Sequence, residues 1–564
     1  MTTNAKKTLM TVCGALSVGA TAYAAQSERP NIIFILTDDQ RYELLGCTGH
    51  PIVQTPNIDR LAKEGVLFHN AHVSSPISKP SRTCLLTGRF ERNHGVNFNS
   101  GTALSAEAWE ECYPVVLRKN GYYTGYIGKN HTPVGEKGYK TGVMEQSFDY
   151  WYGGHQHLGF YPKERHKIFK DATASTQVEI LQEGMLDFLN PNERNLKGAV
   201  HFLNSRDESK PFFLNICFNL PHGAGTSTMR QKPTDPELYR TGYRDQIDQI
   251  PLPQNYIAKE DIIKQKLPHS VFHPEDRQDG YNYVDTPETL RERNVREMEA
   301  VTGIDNLVGE LMAELKRQKL DKNTIIIFTA DHGIFNGEYG LGGKSLCYEI
   351  CTKVPFIIYD PRAPKSQRKA DNDELVLTID LSKTILSYGD IKAPESYQGE
   401  DLTPMLDGEK SAVREWLFTE CLWSTPFGNP RCESVQNKEW KYIRYYKNNN
   451  RSALATQEVM KEMSFTFRAL YNLTMDMVIE YRKFINAPLQ GEKPVYEELY
   501  NLKNDPWEAM NLACNNQYDN LLMELRDECD KQLKYARGEG APRVEITVAD
   551  YNDLYKQKPK NNKK

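Results

Sequence analysis

Four ionisable residues lie just after two apolar runs of the sequence. Asp38 and Asp39 follow the letters NIIFIL after one threonine, and Asp331 and His332 follow NTIIIF after a Thr-Ala pair. An acidic residue after a strand is most often a turn former, so neither pair alone predicts a function. If both strands end at the same edge of a parallel sheet, three carboxylates and one imidazole converge there. Such a donor set suits Ca²⁺ or Mg²⁺ better than Zn²⁺.

A third motif carries a candidate anion site. The stretch SKPSRTCLLTGR begins at Ser78 and predicts a short helix, because Pro80 suits the first turn and Gly88 suits the end. Backbone N–H groups at the helix start, together with Arg82 one turn further on, favour an anion beside Ser78. A capped surface helix explains these residues equally well, so their positions alone assign no function.

The intervening sequence predicts the framework that would position these side chains. Four runs are apolar at nearly every position, which is typical of strands buried on both faces of a mostly parallel sheet. The runs are Asn31–Leu36, Pro211–Phe218, Asn323–Phe328 and Val354–Tyr359. A helix is predicted after Thr286, because a capping hydroxyl precedes Pro287 and apolar residues then recur at helical spacing. Strands alternating with helices predict an α/β sandwich.

The character of the sequence changes at two places, which predicts three segments. Residues 1–24 are predicted to be a signal peptide, because Lys6 and Lys7 precede a short apolar run and Ala22-Tyr23-Ala24 follows it. Residues 25–406 are predicted to form the α/β domain. Residues 407–564 are predicted to form a smaller α+β C-terminal subdomain with a small antiparallel sheet and a basic tail.

Composition narrows the class of protein. The 26% of charged residues are of mixed sign and the formal net charge is only -5. This balance gives no electrostatic reason to expect nucleic acid as a partner. The apolar run of the signal peptide is too short to cross a membrane. We therefore expect an exported protein without a membrane span, in the periplasm or secreted.

The stretch that begins at Ser78 resembles the signature of the sulfatase family, in which Cys or Ser is followed by x-Pro-Ser-Arg and then by Thr-Gly-Arg. Further segments are similar to the family in the same order, from about Pro30 to about Ala513. They include PNIIFILTDDQR, GYYTGYIGKNH, TADHG and GGKSLCYE. One departure is His332, which stands where the family often has Asn. The resemblance implies an alkaline phosphatase-like fold, with a large, mostly parallel sheet sandwiched by helices.

The resemblance also implies the cofactors. Ser78 is expected to be oxidised to formylglycine, the catalytic nucleophile, by an anaerobic sulfatase-maturing enzyme that acts on Ser-type motifs. A divalent cation is expected to be held by Asp38, Asp39, Asp331, His332 and residue 78 itself. Ca²⁺ is the expected ion, and Mg²⁺ is the alternative.

Five more residues receive catalytic roles through the same resemblance. Arg82, Lys129 and Lys344 are implied as cations on the sulfate and the nucleophile. His131 is implied as the base that assists sulfate release, and His222 is our candidate for the general acid on the departing alcohol.

Substrate contacts are predicted from position alone. Three of the residues follow the nucleophile helix, two lie in the letters YGGHQHLGF, and the last ends WSTPFGNPR in the C-terminal part. They are Arg92, Asn93, His94, His155, His157 and Arg431.

The predicted function is hydrolysis of sulfate esters on a sulfated carbohydrate by an exported bacterial enzyme. Two alternatives remain open. One is a phosphonate or phosphodiester hydrolase of the same superfamily. The other is a glycan-binding relative without catalysis, although no catalytic position is vacant in this sequence.

Overall fold

A computed structural model gives the structure of the protein. It describes residues 29–98, 102–135, 138–155, 161–162, 198–222, 237–268, 271, 284–364, 371–423, 430–447, 484–539 and 544–546. The predicted signal peptide and His157 lie outside the described residues.

The strands within these ranges are numbered along the chain. They are β1 (Asn31–Asp38), β2 (Val66–His72), β3 (Thr102–Leu104), β4 (Tyr123–Asn130), β5 (Tyr150–His155), β6 (Tyr161–Pro162), β7 (Phe212–Pro221), β8 (Thr324–Ala330), β9 (Phe335–Asn336), β10 (Gly342–Gly343), β11 (Phe356–Tyr359), β12 (Asp371–Leu377), β13 (Leu417–Cys421), β14 (Cys432–Gln436), β15 (Trp440–Tyr445), β16 (Tyr496–Asn501) and β17 (Val544–Ile546).

The α-helices are numbered in the same way. They are α1 (Pro56–Glu64), α2 (Ser78–Thr87), α3 (Glu91–His94), α4 (Ala106–Glu110), α5 (Tyr113–Lys119), α6 (Val143–Gln146), α7 (Ala199–Ser205), α8 (Glu237–Thr241), α9 (Pro287–Arg317), α10 (Glu349–Thr352), α11 (Asp380–Tyr388), α12 (Thr403–Leu406) and α13 (Asp519–Arg537). None of the helices in the described ranges is long and apolar enough to span a membrane.

A large sheet runs through the middle of the molecule, with strand order β12-β2-β11-β8-β1-β7-β4-β5-β6 among the described residues. The central strand β1 lies parallel to β7 on one side and to β8 on the other. Ile35 pairs with Ile216 of β7 and with Phe328 of β8. Because these three strands run in the same direction, their carboxyl ends meet at one edge of the sheet. The large, mostly parallel sheet predicted from the apolar runs is confirmed.

One of the four apolar runs enters the sheet in the opposite direction. Its strand β11 is antiparallel to both neighbours, β2 and β8. The chain between β8 and β11 forms the small β9–β10 hairpin and the short helix α10. A parallel entry needs a crossover back to the other edge of the sheet, which this connection does not make. The chain therefore returns through the sheet from the carboxyl edge of β8.

Helices cover both faces of the sheet. The long helix α9 begins after Thr286, whose side chain accepts a hydrogen bond from the Thr289 N–H as predicted for a capping hydroxyl. Its buried side chains include Met298, Val301 and Ile304, which pack with β1 residues in one core cluster. Burial of each such side chain stabilises the fold by about 1.5–3 kcal/mol. The opposite face packs against α2, α5 and α11 through a second cluster.

The C-terminal part forms a smaller, antiparallel sheet in the order β13-β14-β15-β16. Helix α13 packs on it, and its buried Leu525 and Cys529 share a core cluster with Val435 of β14. In the described residues the last helix before this sheet, α12, ends at Leu406, and β13 begins at Leu417. The sheet also contacts the large domain directly, since the Glu420 N–H donates to the Ser74 carbonyl at 3.0 Å.

Candidate active site

The predicted metal ligands lie together at the carboxyl edge of the large sheet. Asp38 is the last residue of β1, and Asp331 follows β8, its neighbour. The Asp331 N–H donates to the Thr37 carbonyl at 3.1 Å, so the two strand ends are held in register. Asp39 has a left-handed backbone, with φ of 60°, and its N–H donates to Asp331 Oδ1 at 3.0 Å.

Four side chains of this edge can hold one cation. Each of Asp38, Asp39, Asp331 and His332 offers one ligand atom, and these atoms all lie within 4.8 Å of one another. All four residues are buried. Three carboxylates and one imidazole form a mainly oxygen donor set, which fits Ca²⁺ or Mg²⁺.

Three cationic side chains accompany the three carboxylates. Lys129 Nζ contacts Asp38 Oδ2, and Arg82 Nε donates to Asp331 Oδ2 at 2.8 Å. Lys344 Nζ donates to Asp39 Oδ1 at 2.7 Å and to Oδ2 at 2.8 Å. The predicted cations therefore all converge on the carboxylates, and their charges balance. A divalent ion added to this set would leave it positive, which favours an anionic ligand.

Burial and these neighbours set the protonation of the site. Burial would raise the pKa of Asp39, but Lys344, His222 and His332 lower it to about 2. Burial raises the pKa of Asp331, and Asp38 adds to this effect. Burial would lower the pKa of Lys344, but Asp39 and Asp38 raise it above its usual value.

Ser78 lies inside this charged cluster. It begins α2 and is fully buried. Its Oγ lies 3.0 Å from His332 Nε2 and donates to Asp38 Oδ1 at 3.3 Å. The predicted end of the helix is also confirmed, since Gly88 has φ of 65° and its N–H donates to the Cys84 carbonyl. The helix thus presents residue 78 to the candidate metal ligands, while Arg82, one turn on, contacts Asp331.

The two candidate acid–base histidines follow two neighbouring strands of the large sheet. His222 follows β7, and its Nε2 is 3.7 Å from Asp39 Oδ2. Burial lowers the pKa of His222 to about 3, although 22% of its side chain stays exposed. His131 follows β4 and is almost fully buried. Burial, with Lys129 nearby, holds the pKa of His131 well below its usual value. Burial therefore favours the neutral form of both imidazoles.

Comparison with known proteins decides the family. The sulfatase family model matches residues 30–391, which is more than half of the chain. The chain belongs to the sulfatase family. A second model, described as the C-terminal part of N-sulphoglucosamine sulphohydrolase, matches residues 337–478 of this sulfatase.

Two curated proteins and one solved structure show the similarity to known sulfatases. The N-acetylglucosamine-6-O-sulfatase of Bacteroides thetaiotaomicron is 26% identical over 93% of this chain and 91% of its own. The arylsulfatase of Clostridium perfringens is 26% identical over 83% of this chain and 96% of its own. A solved structure described as a complex with its substrate D-glucosamine-2-N,6-O-disulfate has a TM-score of 0.61 and 22% identity. It covers 91% of this chain and 99% of that one, which shows a shared fold. The sulfatase is a sulfuric ester hydrolase with an alkaline phosphatase-like fold.

The predicted substrate residues that follow α2 contact other protein groups in this sulfatase. Arg92 is fully buried, and its Nε donates to Glu420 Oε2 at 2.8 Å while its Nη2 contacts Glu433. Asn93 Nδ2 donates to the Arg537 carbonyl at 3.1 Å. His94 is buried too, with Nε2 3.2 Å from the thiol of Cys84. Arg92 and His94 are thus engaged by protein groups, and their role as substrate contacts stays a prediction.

The three other predicted substrate residues are placed as follows. Arg431 is buried, donates to Glu492 Oε2 at 3.0 Å and lies over the Phe484 ring, 3.9 Å from its centroid. Its guanidinium is therefore engaged within the C-terminal part. His155 Nε2 lies 2.7 Å from Glu145 Oε1, and its Nδ1 lies 2.9 Å from Asn130 Nδ2. It buttresses the end of β4 next to His131. His157 falls outside the described residues.

The ion pairs of Arg92 yield a stability prediction. We expect Arg92→Met to lower the free energy of unfolding by about 3–5 kcal/mol, because the change leaves Glu420 and Glu433 buried without this partner. Urea unfolding followed by circular dichroism measures the effect. Arg118→Met is the matched control, since Arg118 pairs with Asp149 at the surface and should cost less than about 1 kcal/mol. Equal losses in the two variants would contradict the structural role of Arg92.

One part of the site carried no sequence signal. The Phe98 ring lies edge-on to His131, with centroids 5.8 Å apart, and edge-on to Trp423 at 4.8 Å. Trp423 comes from the C-terminal part, far from Phe98 in sequence. Their meeting depends on the tertiary packing of two domains, which no local pattern reports. Together they add an aromatic wall beside His131.

Proposed function

We propose that this sulfatase hydrolyses sulfate esters of a sulfated carbohydrate, with formylglycine at position 78 as nucleophile and Ca²⁺ as the bound ion. The observation that carries the proposal is the position of Ser78 Oγ, which lies 3.0 Å from His332 Nε2 and 3.3 Å from Asp38 Oδ1. Residue 78 therefore contacts two of the proposed metal ligands, and Arg82, Lys129 and Lys344 contact the carboxylates of the same cluster. A serine that served only to cap a helix would not need these charged neighbours.

The residues that would hold the ion are Asp38, Asp39, Asp331 and His332, with residue 78. Their close spacing, burial and oxygen-rich chemistry fit Ca²⁺. When bound, the ion supplies Lewis-acid polarisation of sulfate and nucleophile oxygens.

The chain's own cations stabilise the charge that develops on the sulfate oxygens. Arg82, Lys129 and Lys344 are already fixed by the three carboxylates, so they need little reorganisation when the ester binds. Two further groups move protons. His131 is neutral and can accept a proton during sulfate release. His222 supplies the proton to the departing sugar oxygen, because a bound anionic ester beside it raises its pKa.

Maturation and location belong to the same proposal. The Ser-type motif favours oxidation of Ser78 by an anaerobic sulfatase-maturing enzyme acting on the newly made chain. The apolar N-terminal segment with its Ala-Tyr-Ala ending favours export to the periplasm or beyond. Fractionation of the source cells, with an antibody against this chain, tests the location; a purely cytoplasmic signal would contradict it.

Removal of the metal tests the proposed ion. We expect exhaustive chelation to lower the rate of sulfate release by about 10²–10⁴-fold, with Ca²⁺ restoring it better than Zn²⁺. Circular dichroism should change little, because the ligands end strands of a large core. Asp331→Asn should raise the Ca²⁺ concentration needed for half-activity, whereas the surface variant Asp248→Asn should not. Full activity in a protein shown by elemental analysis to be metal-free would refute the proposal.

The substrate is tested with defined sugars. We propose 6-O-sulfated N-acetylglucosamine as the first candidate, supported by the name of the relative that is 26% identical over 93% of this chain. Monosaccharides and disaccharides sulfated at O2, O3, O4 or O6 should be compared by sulfate release. Matched phosphate and phosphonate esters belong in the same assay. A higher kcat/KM on those esters than on every sulfate ester would overturn the proposal.

A further inference from the structure

Lys79 directly follows the nucleophile position and takes no part in the mechanism above. It occupies the variable position of the Ser-x-Pro-Ser-Arg motif and is only 5% exposed. Within the described ranges no carboxylate or other acceptor pairs with its Nζ, and burial lowers its pKa to about 8. A buried cation without a partner destabilises a fold, so its retention needs a reason.

The helix geometry shows which side of the site Lys79 faces. Residues four apart lie on the same face of a helix, and successive residues are turned by about 100°. Ser78 and Arg82 form the face toward Asp331. Lys79 shares its face with Thr83, whose Oγ1 lies 3.1 Å from Thr132 Oγ1.

Lys79 therefore lies on the side of the chain that follows β4, next to His131. This follows from Thr132, which contacts Thr83 on that face and directly follows His131 in the sequence. The aromatic ring of Phe98 stands on the same side, 5.8 Å from His131. Among the described residues this places a cation without a counter-charge and an apolar wall together, beside the cluster that would bind the scissile sulfate.

We propose that Lys79 binds a second anionic substituent of the substrate, a sulfate or a carboxylate, and so selects sugars that carry two anionic groups. The inference rests on the sulfatase reaction proposed above. Arg82, Lys129 and Lys344 are each paired with a carboxylate of the metal cluster, and they face residue 78. Lys79 has no such pair and lies on a neighbouring face of the helix. Its charge is therefore left for a group next to the scissile sulfate.

The test compares substrates that differ by one anionic group. Glucosamine 2-N,6-O-disulfate is compared with N-acetylglucosamine 6-sulfate for a second sulfate. A 6-sulfated disaccharide with a uronate is compared with its uronate methyl ester for a carboxylate. We expect Lys79→Met to lower the ratio of kcat/KM between dianionic and monoanionic substrate by about 10- to 100-fold in one of these pairs, mainly through KM. Lys63→Met, an exposed lysine of α1, is the matched control and should leave both ratios as in wild type.

Three results would overturn the role of Lys79. The first is that Lys79→Met leaves the kcat/KM ratio unchanged in both pairs. The second is that it lowers kcat/KM equally on monoanionic and dianionic substrates. The third is that Lys63→Met lowers the ratio as much as Lys79→Met does. Thermal unfolding should show Lys79→Met at least as stable as wild type, and Lys79→Gln gives the same readout if the methionine variant does not fold.

The same experiment separates the two proposals. A wild-type protein that hydrolyses none of the sulfated sugars contradicts the proposed function. In that case calorimetric binding of the same pairs still tests Lys79, because the variant should lose the preference for the dianionic sugar. An active wild type with unchanged ratios contradicts Lys79 alone.

Discussion

Replacement of Ser78 by alanine is expected to reduce sulfate release by at least about 10⁴-fold, because the variant lacks both the nucleophile and one ligand of the proposed metal site. Protein made together with its maturation enzyme should carry the oxidised residue. The peptide that spans Ser78 should then be lighter by one pair of hydrogen atoms in mass spectrometry, and it should react with a hydrazide probe.

Two comparisons make this result specific. Ser209→Ala changes an exposed serine far from the carboxyl edge of the sheet and should keep full activity. Protein made without the maturation enzyme should contain intact serine and be almost inactive. If that protein were as active as the oxidised form, the nucleophile would be something other than formylglycine.

Replacement of His222 by alanine is expected to have an effect that depends on the leaving group. A sugar alkoxide is a poor leaving group, so loss of the general acid should lower its rate by about 10²–10⁴-fold. An activated aryl oxide leaves without a proton, so the same variant should retain a much larger share of its activity on an aryl sulfate. A series of phenyl sulfates of graded phenol pKa measures this dependence as a change in slope.

Lys344→Ala serves as the comparison for His222. Lys344 contacts Asp39 through both carboxylate oxygens, and in the proposed mechanism it stabilises charge on the sulfate itself. Its loss should therefore slow good and poor leaving groups alike. If His222→Ala also slowed both classes equally, His222 would bind the sulfate and not protonate the leaving group.

The sequence predicted that Asp38, Asp39, Asp331 and His332 converge, because the backbone places them at neighbouring strand ends. Asp38 and Asp331 end adjacent parallel strands, and the pairing of β1 with β8 brings them together whatever surrounds them. Arg82 is one helical turn from Ser78, so its direction also follows from local geometry. The spacing in the sequence therefore predicts both the residues at neighbouring strand ends and those one helical turn apart.

The predicted substrate residues depended on partners that spacing does not report. Arg92 looked available because it follows the nucleophile helix, yet it lies buried against Glu420 and Glu433, more than three hundred positions away. Arg431 is likewise held by Glu492. Long-range ion pairs of this kind are decided by how two domains pack, and a single sequence carries no pattern for them.

The ion pairs of Arg92 bear on how sulfatases exchange their C-terminal parts. A recombination point near Leu406 separates Arg92, in α3, from Glu420 and Glu433 in the small sheet. A chimaera that receives its sheet from a relative without acids at both places would bury a guanidinium with no counter-charge. Successful exchange therefore requires the donor sheet to bring both acids, or the crossover to lie before Arg92 so that the arginine travels with them.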